Sequence, residues 1–392
     1  MHDRRLAARA GELKPSAVRE LLKHSKLPGV ISLGGGIPAP ELFDTEGLEL
    51  AVQKVMSERF HDAFQYGLTE GPPLRQAVSE ICHSRGVTCS PAQVYITSGS
   101  QQSLDIVART LLDPGDTIVV ERPTYLAALQ VFQLAQANIL SVDTDDDGML
   151  VEQLADLLET TRVKAVYLVP TFGNPGGKTL SETRRRRLVE LAKKYDFVIL
   201  EDDPYGEISF TDAVRRPLYQ HAVELGCEDQ VVYTSTFSKI LAPGMRIGWV
   251  VMPDWLAQQT VIVKQAADLH TNMLSQVITA EYLGMNRLEN QIALIREDYR
   301  KKCVALADAL ESRLGEHLEF SRPQGGMFLW ARFRYPFDTM EWMKKTLENG
   351  VVYVPGEAFY HDKPDTRTLR LSYSTVSEAG LLTAVERLAA SL

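Results

Sequence analysis

The sequence predicts an α/β protein: a large domain with a mostly parallel sheet flanked by helices, plus a smaller α+β domain built from the two chain ends. Short apolar runs alternate with helical patterns through the middle of the chain. Those runs are apolar and often β-branched at nearly every position, as in strands covered on both faces. After about residue 290 the alternation gives way to a long helix and separated strand candidates. A length of 392 residues also exceeds what one small core needs and suits two domains.

The alternation begins with a strand at 94–98 (VYITS), followed by a helix over about 100–112. Further strands are expected at 117–121 (TIVVE), 164–170 (KAVYLVP), 197–202 (FVILED), 231–236 (VVYTST) and 247–252 (IGWVVM), with a helix over 181–195 among their connections. Strand, helix, strand in repetition makes the sheet largely parallel. Beyond it, a helix over about 290–314 leads to strand candidates at 326–333 and 369–373, and a helix from Ser377 closes the chain. Near the N-terminus, 14–25 reads as a short amphipathic helix ahead of the turn Gly34-Gly35-Gly36. We expect residues 1–50 to pack with the small domain, 51–289 to form the large domain and 290–392 the small one.

Composition excludes several classes of function. The residues are 45% hydrophobic and 24% charged, ordinary for a globular protein, and the net charge of -9 argues against a nucleic-acid surface. Cys82, Cys89, Cys227 and Cys303 form no C-x-x-C pair and no metal spacing, which fits free thiols in a reducing compartment. No apolar run approaches the roughly 18 residues of a membrane span, and the charged start MHDRRLAARAGELKPS lacks an apolar signal core. A cytoplasmic protein is expected. The series Asp143-x-Asp145-x-Asp147-Gly148 resembles the opening of a calcium loop, but its twelfth position is Leu154 where glutamate is needed, so it reads as an acidic surface turn. Arg184 to Arg187 lie within a predicted helix and read as a solvated face. The histidines show no ligand spacing, and no metal is expected.

Ligands of parallel α/β sheets sit beyond the carboxyl ends of the strands, and those ends are rich in chemistry. VYITS runs into Gly99-Ser100-Gln101-Gln102, a polar turn opening a helix whose free N–H groups suit a phosphate. TIVVE is followed by Arg122-Pro123-Thr124-Tyr125, KAVYLVP by Thr171-Phe172-Gly173-Asn174-Pro175, FVILED by Asp203-Pro204-Tyr205, and VVYTST by Phe237-Ser238-Lys239. Lys239 is the sharpest signal. Just past a buried strand and before Ile240-Leu241, its amine is expected to lose hydration, which lowers its pKa and makes it a nucleophile toward an aldehyde. Arg246 brings a fixed cation into the same turn region.

The phrase Ser235 to Gly248 (STFSKILAPGMRIG) resembles the cofactor-lysine motif of fold-type I pyridoxal-phosphate aminotransferases, class I/II. Gly99-Ser100-Gln101, Tyr125, Asn174-Pro175, Asp202-x-x-Tyr205 and Arg370 in RLSYS match that family in order, over nearly the whole chain. Within it, S-x-x-R-E-L-L, Gly35 to Phe43 (GGIPAPELF) and Ala267 to Thr271 (ADLHT) look most like the 2-aminoadipate and kynurenine branch. The resemblance implies pyridoxal 5'-phosphate, held by Lys239 as a Schiff base in the large domain. Asp202 is expected at the ring nitrogen, Tyr205 and Asn174 at the phenolic oxygen, and Tyr125 on the ring face. Ser100, Gln101, Ser238 and Arg246, with help from Thr236, are expected at the phosphate. Arg370 is expected to take the substrate's α-carboxylate, with Asn174 and Gly36 bordering it. Tyr66 resembles the tyrosine that reaches a neighbouring subunit's phosphate, so a homodimer is implied. One departure from the family is Asn174-Pro175-Gly176-Gly177, where N-P-T-G is usual.

The implied reaction is transamination between an amino acid and a 2-oxo acid by a ping-pong course, with Lys239 as general base. Arg19, on the predicted N-terminal helix, resembles the arginine that meets the distal carboxylate in the aminoadipate branch, and the resemblance implies a dicarboxylic donor: 2-aminoadipate, with 2-oxoglutarate as acceptor. Aromatic, kynurenine, branched-chain or valine specificity stays open, as do β-lyase and decarboxylase chemistry on the same fold. An aminotransferase-like regulatory module would need a DNA-binding domain ahead of Gly35.

Overall fold

The computed structural model describes residues 6–11, 27–67, 71–213 and 215–392. In chain order the strands are β1 Ile31–Ser32, β2 Val94–Thr97, β3 Thr117–Arg122, β4 Asn138–Asp145, β5 Gly148–Met149, β6 Ala165–Leu168, β7 Val198–Asp202, β8 Val231–Thr236, β9 Gly248–Val251, β10 Leu318–Phe320, β11 Phe328–Phe333, β12 Val351–Val352, β13 Val354–Pro355 and β14 Thr368–Ser372. An eight-stranded sheet runs β2-β9-β8-β7-β6-β3-β4-β5. From β8 to β4 every pairing is parallel, while β9 and β5 run against their neighbours. The six strands expected from the sequence stand here as β2, β3, β6, β7, β8 and β9. Every residue of β6, β7, β8 and β9 is buried, because helices such as Ser100–Leu111 and Glu182–Tyr195 pack apolar faces on the sheet.

Strand β4 was not among the expectations. Its sequence, NILSVDTD, is largely polar and only partly buried, so it lacks the apolar continuity that marks its neighbours. Asp143 and Asp145 lie on this strand, and the turn proper spans only the two residues before β5. Each carboxylate meets a cation: Asp143 meets Arg122 at 2.7 Å, Asp145 meets Arg184 at 2.5 Å, and Asp146 meets Lys178. No cluster of metal-ligating side chains occurs among the described residues.

The arginine run corrects an expectation. Arg184, Arg186 and Arg187 do reach surface carboxylates, but Arg185 is only 1% exposed. Four consecutive side chains wrap a helix, so one of them must face the sheet. Arg185 donates to the Leu180 and Pro170 carbonyls at 2.9 and 2.7 Å and to Thr171 Oγ1 at 2.8 Å. It thereby holds the loop that leaves β6 and carries Asn174.

The smaller layer packs the Leu288–Leu314, Thr339–Glu348 and Glu378–Ala389 helices with a four-stranded sheet, β10-β11-β14-β13. Ser377 caps the last helix by accepting from Gly380 N. The N-terminal side of the chain joins this layer: β1 pairs in parallel with β12, and Ser372 N donates to Leu33 O at 2.7 Å. That link places residues 34–36 beside the carboxyl rim of the large sheet. The helix expected over 14–25 lies outside the described residues.

Replacing Arg185 by Met would take the donor away from four acceptors, the Leu180, Pro170 and Arg216 carbonyls and Thr171 Oγ1. The variant should lose about 3 kcal/mol of unfolding free energy, whereas Arg186→Met on the same helix should change stability by less than about 0.5 kcal/mol. Denaturant titration of the two variants checks this.

Candidate active site

The carboxyl ends of β2, β3, β6, β7 and β8 converge on one cavity of about 340 Å³. Ser100, Gln101, Tyr125, Asn174, Asp202, Tyr205, Thr236, Ser238, Lys239, Arg246, Arg370 and Gly36 all line it. They come from loops far apart in sequence, and the sheet's topology gathers them at one rim.

One end is made for an anion. The Ser100–Leu111 helix opens toward the cavity from Gly99, which sits at φ 84°, and its free N–H groups and dipole favour negative charge. Arg246 stands beside it, donating through Nη2 to Ser98 O at 2.7 Å and lying 3.5 Å from Ser238 Oγ through Nη1. Thr236 Oγ1 lies 2.8 Å from Ser238 Oγ and accepts from Ser238 N at 3.1 Å. Strand β9 passes directly behind this turn. A Cβ on Gly248 would fall 2.7 Å from Ser100 N and 2.6 Å from Gly99 C, so only glycine fits there.

The middle of the cavity holds Asp202, Tyr205, Tyr125 and Lys239. Asp202 ends β7 and is 2% exposed. Tyr167 donates its hydroxyl to Asp202 Oδ2 at 3.0 Å, while Oδ1 is buried with no hydrogen-bond partner. Burial pushes the Asp202 carboxyl up to about 7, against the lowering effects of the Tyr167 bond and of Lys239. Tyr205 touches Asn174, and burial holds its phenol well above the ordinary range. Tyr125 leans in from the far side, its hydroxyl 3.4 Å from Gln101 Oε1. Lys239 follows β8 in a single helical turn, Phe237–Lys239, and donates to Gly36 O at 2.8 Å. Burial first, then the charges of Arg370 and Arg246, bring its amine down to about 8.

At the other end Arg370 rises from β14, 3% exposed. It donates to Asn174 Oδ1 at 2.8 Å and to Gly34 O at 2.7 Å, and its Nε is buried without a partner. Its guanidinium lies 4.3 Å from the Phe328 ring centre and 4.9 Å from that of Phe359. Burial lowers it to about 10, so it stays cationic at neutral pH. Glycine at 176 in place of the usual threonine leaves Asn174 in the cavity. Gly177 adopts φ 65°, and a Cβ there would meet Phe328 O at 2.8 Å.

One expected site residue, Tyr66, is not in this cavity: it is 76% exposed and sits edge-on to His270, 5.8 Å away. Arg19 lies outside the described residues. The sequence reading passed over Tyr167, Phe328 and Phe359. Tyr167 did leave a signal: a tyrosine in an otherwise aliphatic buried strand needs a partner for its hydroxyl. Phe328 and Phe359 left none, because nothing in their spacing ties them to Arg370.

The donors and acceptors left open here fit one cofactor. Asp202 Oδ1 offers an unclaimed acceptor for a protonated ring nitrogen, Lys239 offers an amine of lowered basicity for an aldehyde, and the helix N-terminus with Arg246 suits a phosphate. A cavity that receives an aldehyde, a basic ring and a phosphate together, on this sheet, places the protein among the fold-type I pyridoxal-phosphate enzymes. The chain belongs to the aminotransferase class I and II family, whose model matches residues 31–388; it is a transaminase, and its cofactor is pyridoxal 5'-phosphate. It is 40% identical over 398 residues to aromatic-amino-acid aminotransferase 1 of Thermococcus litoralis, covering 100% of this chain and 94% of that protein. Kynurenine aminotransferase of Pyrococcus horikoshii superposes with a TM-score of 0.93 at 40% identity, covering 99% of this chain and 96% of the other. Alpha-aminoadipate aminotransferase of Thermus thermophilus, solved with N-(5'-phosphopyridoxyl)-L-leucine, gives a TM-score of 0.91 at 35% identity, covering 99% and 97%.

Asp202 carries a cost that the apoprotein reveals. Its folded carboxyl titrates near 7 against an ordinary 3.8, so the folded state favours the protonated form. Stability from this group is present at low pH and is lost as pH rises from about 4 through about 7. Asp202→Asn should therefore melt a few degrees above wild type as apoprotein at pH 8, and no higher at pH 4, while its affinity for pyridoxal phosphate falls. Thermal melts at the two pH values, with a cofactor titration, test both signs.

Proposed function

We propose that the protein transfers the amino group of an L-amino acid, with 2-aminoadipate as preferred donor, to 2-oxoglutarate by a ping-pong course, as a cytoplasmic homodimer. The observation that carries the chemistry is the placing of Lys239 with the buried Asp202 and Arg370 around one cavity. Pyridoxal phosphate, when bound, supplies an aldehyde that condenses with amines and a ring that accepts the electron pair released at the substrate's α-carbon.

Asp202 Oδ1, the buried acceptor without a partner, would hold a protonated ring nitrogen, whose positive charge would favour the ionised carboxylate. Tyr205 and Asn174 would hold the phenolic oxygen, Tyr125 would cover the ring, and Ser100, Gln101, Thr236, Ser238 and Arg246 would hold the phosphate. Lys239 is the amine that would hold the cofactor's aldehyde. Its free form is placed to serve as the base toward the substrate's α-proton and to carry that proton. An amine lowered to about 8 is free in useful amount near neutral pH. Arg370 receives the α-carboxylate through its planar fork, with Gly36 and Asn174 alongside. Tyr66 serves the partner subunit's phosphate. Its exposure, together with that of Phe60 and Phe64 nearby, supports an apolar subunit contact. The four free cysteines support a reducing compartment.

The choice of donor is supported by kinship with alpha-aminoadipate aminotransferase and by Arg19. Arg370 and Arg246 are the arginines that line the cavity among the described residues, and both have tasks, so a distal carboxylate calls for a further cation. Kinship with aromatic and kynurenine enzymes supports wide tolerance for other side chains.

Three measurements test this reading. Lys239→Ala should lose the borohydride-sensitive visible absorbance of the wild type and more than about a thousandfold in kcat. Arg19→Ala should lower kcat/KM for 2-aminoadipate about ten- to a hundredfold while leaving leucine and phenylalanine nearly unchanged; equal losses for both classes would remove Arg19 from the donor pocket. Sedimentation at assay concentration should show a dimer, and a fully active monomer would contradict the shared site.

A further inference from the structure

The segment Ala267-Asp268-Leu269-His270-Thr271 contributes nothing to the cavity lining, yet its geometry is unusual. The Asp254–Asp268 helix stops at Asp268, and Leu269 follows at φ 64°, ψ -62°. His270 N donates back to Asp268 O at 2.7 Å, which makes Leu269 the centre of a γ-turn of the rare, strained hand. Such strain persists only where the surroundings over-determine it. Here they do: Thr271 Oγ1 donates to Ile96 O on β2 at 3.2 Å, and Gln276 Nε2 donates to Thr271 O at 2.8 Å.

The turn aims the Asp268 carboxylate at Gln102. Gln102 Nε2 donates to Asp268 Oδ2 at 2.6 Å, and Gln102 Oε1 accepts from Ser98 N at 2.7 Å. Ser98 O accepts from Arg246 Nη2 at 2.7 Å. Lys264, one helical turn earlier and 4% exposed, meets the other Asp268 oxygen at 3.0 Å. An unbroken polar line thus runs from Lys264 through Asp268, Gln102 and the Ser98 backbone to Arg246. It ends on both sides of Gly99, whose φ of 84° leaves a Cβ only 2.5 Å from Arg246 Nη2.

We propose that Gln102 and Asp268 are positioning residues that clamp the turn at 98–100 and set Arg246 and the helix N-terminus at the spacing a phosphate requires. The proposal rests on the assignment of this turn to the cofactor phosphate. The carboxylate at the outer end strengthens each hydrogen bond along the line, so the clamp acts on the phosphate without touching it.

The test compares apoprotein titrated with pyridoxal phosphate and with pyridoxal, which lacks the phosphate. Gln102→Leu should weaken pyridoxal phosphate about ten- to a hundredfold and leave pyridoxal within about twofold. The double exchange Gln102→Glu with Asp268→Asn, which trades carboxamide and carboxylate across the same bond, should recover most of the loss. Asp268→Asn alone keeps an acceptor but removes the charge, and should give a smaller, phosphate-selective loss. Equal weakening of both ligands, an unchanged preference in Gln102→Leu, or no recovery in the exchange would overturn the clamp. A wild type that binds both ligands equally would instead overturn the phosphate assignment beneath it.

Discussion

Holding Lys239, Asp202 and Arg370 away from water around a single cavity is the demand to which the rest of the molecule answers. Ionisable groups resist burial unless hydrogen bonds or opposite charge replace hydration. Asp202 and Arg370 are only partly compensated. Tyr167 satisfies one oxygen of Asp202 and leaves the other bare. Asn174, Gly34 and two aromatic faces hold Arg370 and leave its Nε unmatched. The continuous apolar core of the eight-stranded sheet offsets that deficit. It also keeps the groups from relaxing toward each other, so the deficit survives as reactivity.

What could be read from the sequence follows from how a parallel sheet works. A strand buried on both faces is legible as an apolar run, and whatever follows it must lie at one rim. Ser100, Tyr125, Asn174, Asp202 and Lys239 were therefore placed by strand logic before any geometry. Arg370 and Gly36 come from the other layer, where that logic does not reach, and they entered through resemblance alone. Polar β4 escaped notice because salt bridges to Arg122 and Arg184 compensate its aspartates in place of apolar burial. Arg185 was misplaced because composition cannot say which of four arginines faces inward.

The two layers of the chain divide the labour unevenly. The large sheet supplies the groups that face a cofactor, and β14 supplies the cation for a substrate carboxylate. Between them runs the stretch after β1, tied to β12 on one side and contributing the Gly34 and Gly36 carbonyls to the cavity on the other. The arginine and the lysine are thus both tied to backbone carbonyls of one short segment.

The bond from Lys239 to Gly36 O has a consequence of its own. A peptide carbonyl does not ionise, and it accepts a hydrogen from an ammonium or from a neutral amine with little change in geometry. Its hold on Nζ therefore outlasts the loss or gain of a proton. Where a carboxylate partner would grip the cation and let go of the amine, this one is indifferent to charge. The lysine is parked at the same spot before and after it gives up its proton, so acidity controls how many molecules carry a free amine and not where that amine is.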